Sequence, residues 1–246
     1  SSVADEIDAD GTPSVTQVFS TYAAFAALRE DGSVVTWGDN NQVSFNYWGG
    51  DSSSVADEID ANGTPSVTQV FSTNSAFAAL RDDGSVVTWG YGQYGGDSSE
   101  VADEIDADGS PSVVHIFSTG GAFAALRDDG SVVTWGAGDR GGDSSAVASA
   151  LDANDTPPIE QVFSKDYAFA ALREDGSVVT WGRDDSGGDS SSVADEIDAN
   201  GTPSVTQIFS TKVAFAALRA DGSVVTWGGD SRGGDSSSVA SELSSG

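Results

Sequence analysis

One fifteen-residue phrase, repeated five times, constrains what this chain can become. In its second copy, residues 76–90, it reads AFAALRDDGSVVTWG. The other copies occupy residues 24–38, 122–136, 168–182 and 214–228. The second half, Val86-Val87-Thr88-Trp89, is β-branched and aromatic, which favours a strand. The first half is alanine-rich and by propensity alone reads as helix. The Asp-Gly pair between the halves suits a tight turn, because glycine reaches φ > 0 without a Cβ clash and aspartate tolerates it. The phrase therefore predicts a β-hairpin. Its small alanines would let neighbouring sheets approach closely.

The phrase tryptophans, Trp37, Trp89, Trp135, Trp181 and Trp227, are spaced 52, 46, 46 and 46 residues apart. Five units of 46 residues, a six-residue insertion in the first and a ten-residue C-terminal partial repeat account for all 246 positions. The expectation is one propeller domain over residues 1–246. Each unit opens on a polar stretch such as residues 53–63, where serine can cap about two turns of helix and glycine can end them. After Pro65 comes a stretch read as an alternating strand, residues 66–73, then a two-residue slot (Asn74-Ser75) and the hairpin. A four-residue slot, residues 91–94, leads to Gly95-Gly96. Three strands per unit, with room for a short fourth near the glycines, predict an all-β, five-bladed β-propeller of antiparallel blades, each carrying a short helix. Five units predict a closed ring. One feature cuts against closure: residues 237–243 repeat the opening residues 1–7, and a closed ring needs that segment once.

Charge narrows the partners. The chain carries 39 acids against 10 bases, a net charge of −29. Such a surface repels phosphate backbones, so nucleic acid is not an expected partner. With no cysteine, neither disulfides nor thiolate metal sites are available. No apolar run is long enough to span a bilayer. A secreted or surface setting is favoured.

The residues A-L-x-x-D-G-x-V-x-x-W-G, carried by Leu80, Asp83, Gly84, Val86, Trp89 and Gly90 and their counterparts in all five units, resemble the repeat of the RCC1-like β-propellers. The Gly95-Gly96 loop sits where that family carries a Gly-Gln-Leu-Gly stretch. The resemblance implies the propeller fold, and family members commonly have seven blades. They include nucleotide-exchange factors and chromatin binders, but those functional surfaces are not recognisable here.

Catalytic chemistry finds little support. The lone His115 stands where other units carry Gln17, Gln69, Gln161 and Gln207, and reads as a strand or surface histidine. No enzyme activity and no cofactor are expected. Residues 6–11, 58–63, 104–109 and 196–201 resemble the start of a calcium loop, but the closing bidentate acid is missing; solvated acids at a helix end are the simpler reading. Arg29, Arg81, Arg127, Arg173 and Arg219 share one repeat position and read as structural pairs to nearby acids on the hairpin.

The units disagree in an informative way. Residues 53–98 and 191–236 differ at eight positions, six of which fill the two slots. Loop tolerance would explain variable slots, but the Asp-Gly loop scarcely varies. An antiparallel meander puts alternate connections at one end of the sheet, so both slots should share one face. The candidate ligand-binding residues are therefore Tyr22, Phe45, Tyr47, Trp48, Asn74, Tyr91, Tyr94, Arg140, Tyr167, Arg183, Lys212 and Arg232. Phe45, Tyr47 and Trp48 belong to the insertion, where local packing and ligand contact are both open. The function expected is a non-enzymatic binding module for a protein or glycan ligand, the latter as a lectin. The alternative is a structural repeat protein that self-associates into an array or filament.

Overall fold

Alanine-rich runs become strands here because small side chains, not helix propensity, satisfy the packing. The computed structural model describes residues 13–39, 48–60, 65–107, 111–154, 157–198 and 203–244. Blade 1 holds β1 (Val15–Ser20), β2 (Ala24–Arg29) and β3 (Val34–Gly38), and blade 2 holds β4 (Val67–Ser72), β5 (Ala76–Arg81) and β6 (Val86–Gly90). Blade 3 holds β7 (Val113–Ser118), β8 (Ala122–Arg127) and β9 (Val132–Gly136). Blade 4 holds β10 (Ile159–Lys165), β11 (Ala168–Arg173) and β12 (Val178–Gly182), and blade 5 holds β13 (Val205–Ser210), β14 (Ala214–Arg219) and β15 (Val224–Gly228). Each set forms one antiparallel three-stranded meander. The result is a five-bladed, all-β propeller.

Local geometry departs from the sequence reading in three places. The hairpin loop has three residues. Gly84 donates to the Arg81 carbonyl at 3.0 Å, and Arg81 donates to the Ser85 carbonyl at 2.9 Å. That is a type I turn closed by a glycine bulge, so only Gly84 (φ +84) takes a positive φ and aspartate does not. The first strand of each unit does not alternate strictly. A bulge between Val67 and Gln69 turns Val67 and Val70 to the same buried side. The segment after the third strand is a 3-10 turn (Gly92–Tyr94) and pairs with no sheet.

The polar stretch does wind into about two turns, a 3-10 turn (Ser99–Val101) running into one α turn (Ala102–Ile105). Its serine is not the cap. Asp97 accepts the Ser99 N–H at 3.0 Å, while the Ser98 hydroxyl faces Thr88 Oγ1 at 3.0 Å. Those bonds from Ser99 hold the Asp97 carboxyl below its ordinary pKa.

Every blade has two unlike faces. The front of blade 2 carries Val70, Phe77 and Trp89, with the two rings stacked at 5.2 Å. The back carries Ala76, Ala78 and Leu80. At each junction a front packs onto the preceding back, and close approach to alanine lets the Phe-Trp pair fit flat. The indole N–H then reaches across: Trp135 donates to the Gly95 carbonyl and Trp181 to the Gly141 carbonyl, each at 3.1 Å. Gly95 must be glycine twice over, for its φ of +98 and because a Cβ would lie 2.5 Å from the Phe123 ring. Below, the Asp-Gly turn bonds to the next blade, as in Val113 N–H to the Gly84 carbonyl at 3.0 Å. The Asp-Gly loop is invariant because it is an inter-blade joint.

Four such junctions form, one between each consecutive pair of blades. Among the described residues no core cluster joins blade 5 to blade 1. Phe25, on the front of blade 1, is 44% exposed, where its counterparts are at 0 to 1%. Among the described residues the expected closure is therefore not seen: four repetitions of one junction do not bring the last blade round onto the first. The repeated terminal segment was the sequence sign of this.

Candidate binding rim

Both variable slots of a unit emerge at the same end of the sheet, and hydrogen bonds tie them together. The threonine that follows the first strand reaches over to the last residue of the second slot. Thr73 Oγ1 donates to the Tyr94 carbonyl at 3.0 Å, Thr119 to Arg140 at 2.8 Å and Thr211 to Arg232 at 2.9 Å. In blade 1 the corresponding bond runs from Thr21 to the Trp48 carbonyl at 2.7 Å. Backbone bonds repeat the link: Tyr91 N–H to Ser75, Ala137 to Gly121, Arg183 to Tyr167 and Gly229 to Val213. The slots also join from blade to blade, through Tyr22 N–H to the Asn74 carbonyl, Asn74 to Gly120 and Gly120 to Asp166. The described slots of blades 1 to 4 thus make one continuous rim, and Lys212 brings blade 5 against it at Asp166. Its inner edge frames a polar depression lined by serines and threonines at the ends of the first strands.

The candidate residues fall into groups on this rim. Tyr22, 82% exposed, lies against Trp48 with ring centroids 5.4 Å apart. Phe45 and Tyr47 lie outside the described residues. Tyr91 and Tyr94 meet edge to face at 5.3 Å, and the Tyr91 hydroxyl bonds Gln93 at 2.8 Å. Arg140 is held between two rings from neighbouring blades, 4.8 Å from the Tyr94 centroid and 5.0 Å from that of Tyr167. Arg183 covers Tyr167 at 5.3 Å and pairs with Asp185 at 2.8 Å. Lys212 pairs with Asp166 at 3.2 Å. Asn74 and Arg232 are exposed.

Arg140 is the least expected of these. It is half-buried, and its Nε has no hydrogen-bond partner. A Cβ at Gly121 would lie 2.7 Å from Arg140 Cδ, so the Gly120-Gly121 slot makes the room. The sequence carried only half of this signal: Gly120-Gly121 is the one first slot without side chains, but Arg232 ends a second slot as Arg140 does. Asp166 was missed altogether, because its partner Lys212 comes from the next blade.

The other candidates for chemistry resolve into structure. His115 packs on Phe71 (5.2 Å) and Phe117 (4.6 Å), and burial pushes its pKa below the ordinary value. The repeated arginine reaches the turn acid through serine, and Arg219 also lies 4.0 Å from the Glu196 carboxylate. Arg29 Nε donates to Ser33 Oγ at 2.7 Å, which donates in turn to Asp31 at 2.6 Å. Arg173 differs, sending Nη2 to the Ala150 carbonyl at 2.8 Å. Partial burial alone would raise Asp31, Asp83, Asp129 and Asp175. Hydrogen bonds from the neighbouring serine, and the arginine charge, outweigh it and hold all four carboxyls below their usual range. Among the described residues no cluster of three or more His, Cys, Asp or Glu is placed to hold a metal ion, though the acid-rich runs extend beyond those residues. Nor is any described helix long and apolar enough to cross a membrane.

Solved structures place this fold. Human WBSCR16 superposes with a TM-score of 0.57 at 19% identity, over 92% of this chain and 64% of that one. Prp20p from Saccharomyces cerevisiae, the yeast RCC1, superposes with a TM-score of 0.51 at 18% identity, over 90% of this chain and 58% of that one. The ectodomain of the Physcomitrella patens receptor kinase CR4 gives 0.51 at 17% identity, over 88% and 52%. The fold is therefore that of the RCC1-like β-propellers, and the chain spans between 52% and 64% of the length of these solved chains. No protein-family model matches the sequence, and no curated protein matches it.

Proposed function

We propose that the chain is a non-enzymatic binding module that recognises a protein through its slot rim. One observation carries this reading: the strongly variable slots of the repeat lie together at one end of the sheets, hydrogen-bonded from blade to blade across blades 1 to 4, while the invariant loops join blades at the other end. Aromatic and arginine side chains, the types that dominate binding hot spots, concentrate on that surface. Protein is favoured over glycan because Prp20p, which shares the fold, is described by its binding to Gsp1p and histones. The charge of −29 suits a partner with a basic patch.

The test is a labelled chain screened on protein, peptide and glycan arrays. It is compared with a variant carrying Gly-Ser repeats at residues 91–94 and 137–140. The variant should melt as a cooperative fold and lose at least about tenfold in affinity for the captured partner. Unchanged binding would mean that slot variation is loop tolerance. Capture of glycans alone would replace protein with sugar as the ligand class.

A further inference from the structure

Among the described residues, the front of blade 1 and the back of blade 5 each present one unfilled half of the blade junction. On the front of blade 1, Val18 is 56% exposed, whereas Val70, Ile116, Val162 and Ile208 are at 1 to 3%. Phe25 beside it is stacked on Trp37 at 5.3 Å, the same arrangement that fills the four internal junctions. On the back of blade 5, Phe209 is 52% exposed, and Ala216 is half-exposed where Ala170 is fully buried. The joint below is open as well: a Cβ at Gly222 would meet nothing within 4 Å, whereas at Gly84 it would strike Ser112. Contiguous apolar faces of this kind mark contact surfaces.

We propose that the front of blade 1 in one molecule docks onto the back of blade 5 in a second copy of this chain, reproducing the internal junction between molecules. The occupant is specified by the sequence itself. The Val-Phe-Trp front and the Phe-Ala-Ala-Leu back already meet four times within the chain, so each end face carries the residues that the other is built to receive. In the docked pair the Val15 N–H would meet the Gly222 carbonyl, as Val67 meets Gly32 at 3.0 Å. Residues 237–243 supply the helical segment of that junction, so the like segment at 1–7 is surplus to it. The contact is heterologous, and it propagates into rings or linear assemblies according to whether the rotation closes.

Sedimentation velocity over a range of concentrations reads this directly. The runs belong at high ionic strength, where repulsion between copies of charge −29 is screened. The wild-type chain should gain mass with concentration. Phe25→Asp blocks the front and Ala216→Glu blocks the back, so each variant alone should stay monomeric at every concentration. Mixed together they should form dimers and nothing larger, because one intact front and one intact back remain. Should Phe25→Asp fail to melt cooperatively, Val18→Asp serves in its place. A monomeric wild type, association that survives in either single variant, or a mixture no heavier than its components would each overturn the proposal. A monomeric wild type would mean that the end faces close on each other within one molecule or stay bare.

Discussion

The junction between blades 3 and 4 and the two end faces are built from the same residues, yet only the first is sealed. Phe169 and Phe25 occupy the same repeat position, stack on equivalent tryptophans, and differ only in whether an alanine face lies against them. The difference shows where the stability of a repeat fold resides. A blade cannot bury its own front, so most of its stabilisation comes from the neighbour, and local sequence is silent about whether a neighbour is present.

The largest effect expected from this contrast is at the stacked phenylalanine. Phe169→Ala empties a fully enclosed site and should cost about 3–5 kcal/mol. Phe25→Ala removes a ring already 44% in water and should cost about 1 kcal/mol or less. Urea unfolding of the two variants at a concentration where the chain is monomeric gives both numbers. Equal costs would mean that the front of blade 1 is covered after all.

The joint beneath the blades permits a cleaner subtraction. Gly130 (φ +82) and Gly222 (φ +86) have the same backbone conformation. Alanine at either position pays the left-handed penalty of about 1–2 kcal/mol. At Gly130 the new Cβ would also lie 2.3 Å from Pro158 Cβ, whereas at Gly222 it meets open space. Gly130→Ala should therefore cost about 1–3 kcal/mol more than Gly222→Ala, the range for forced overpacking. If the two variants unfold alike, the turn is not an inter-blade joint.

A smaller difference is expected at the indole. Trp181→Phe keeps most of the ring but leaves the Gly141 carbonyl without its 3.1 Å donor at a buried site, at a cost of about 1–3 kcal/mol. The Trp37 indole meets no such glycine carbonyl among the described residues, so Trp37→Phe should lie within about 1 kcal/mol of wild type. Chemical denaturation curves compared at constant slope decide it. A Trp37→Phe cost as large as that of Trp181→Phe would show that the end tryptophan has an equally demanding partner.

These contrasts also explain what could be read from the sequence. The period, the hairpins and the convergence of the slots follow from local pattern and strand parity, so they were legible. Leu80 and Val86 paired as the hairpin required. Turn chemistry was legible only in part. Asp83 was assigned a share of the left-handed turn, but the bulge at Gly84 carries all of it. Capping was assigned to the serine that opens the polar stretch, whereas the preceding aspartate, Asp97 in the third unit, accepts that serine's N–H. The arginine clamp was legible only in hindsight, because Tyr94, Arg140 and Tyr167 come from three blades and meet only once the blades are stacked. Ring closure is a property of a summed rotation, and no residue in the phrase encodes that sum by itself.

The smallest expected effect separates one junction from the other three by pH. His115 replaces the glutamine of the other units and packs between Phe71 and Phe117 at the junction of blades 2 and 3. Burial lowers its folded pKa below the ordinary imidazole value of about 6.5. A lowered pKa means that the folded state binds the proton less readily than the unfolded chain. The neutral ring's contribution is then complete above about pH 6.5 and is lost as pH falls through the folded value. Asp31, Asp83, Asp129 and Asp175 are lowered too, but from the ordinary carboxylate value of about 4, so their contribution persists until the pH drops below about 4. His115→Gln deletes only the first limb. Relief of acidic self-repulsion is common to both proteins and cancels in their difference. Thermal melts from pH 7.5 down to about 4.5 should therefore show wild type losing stability relative to His115→Gln as the pH falls below about 6.5. Parallel curves over that range would mean that the imidazole takes up its proton as readily in the folded junction as in water, and that the ring stack does not exclude solvent.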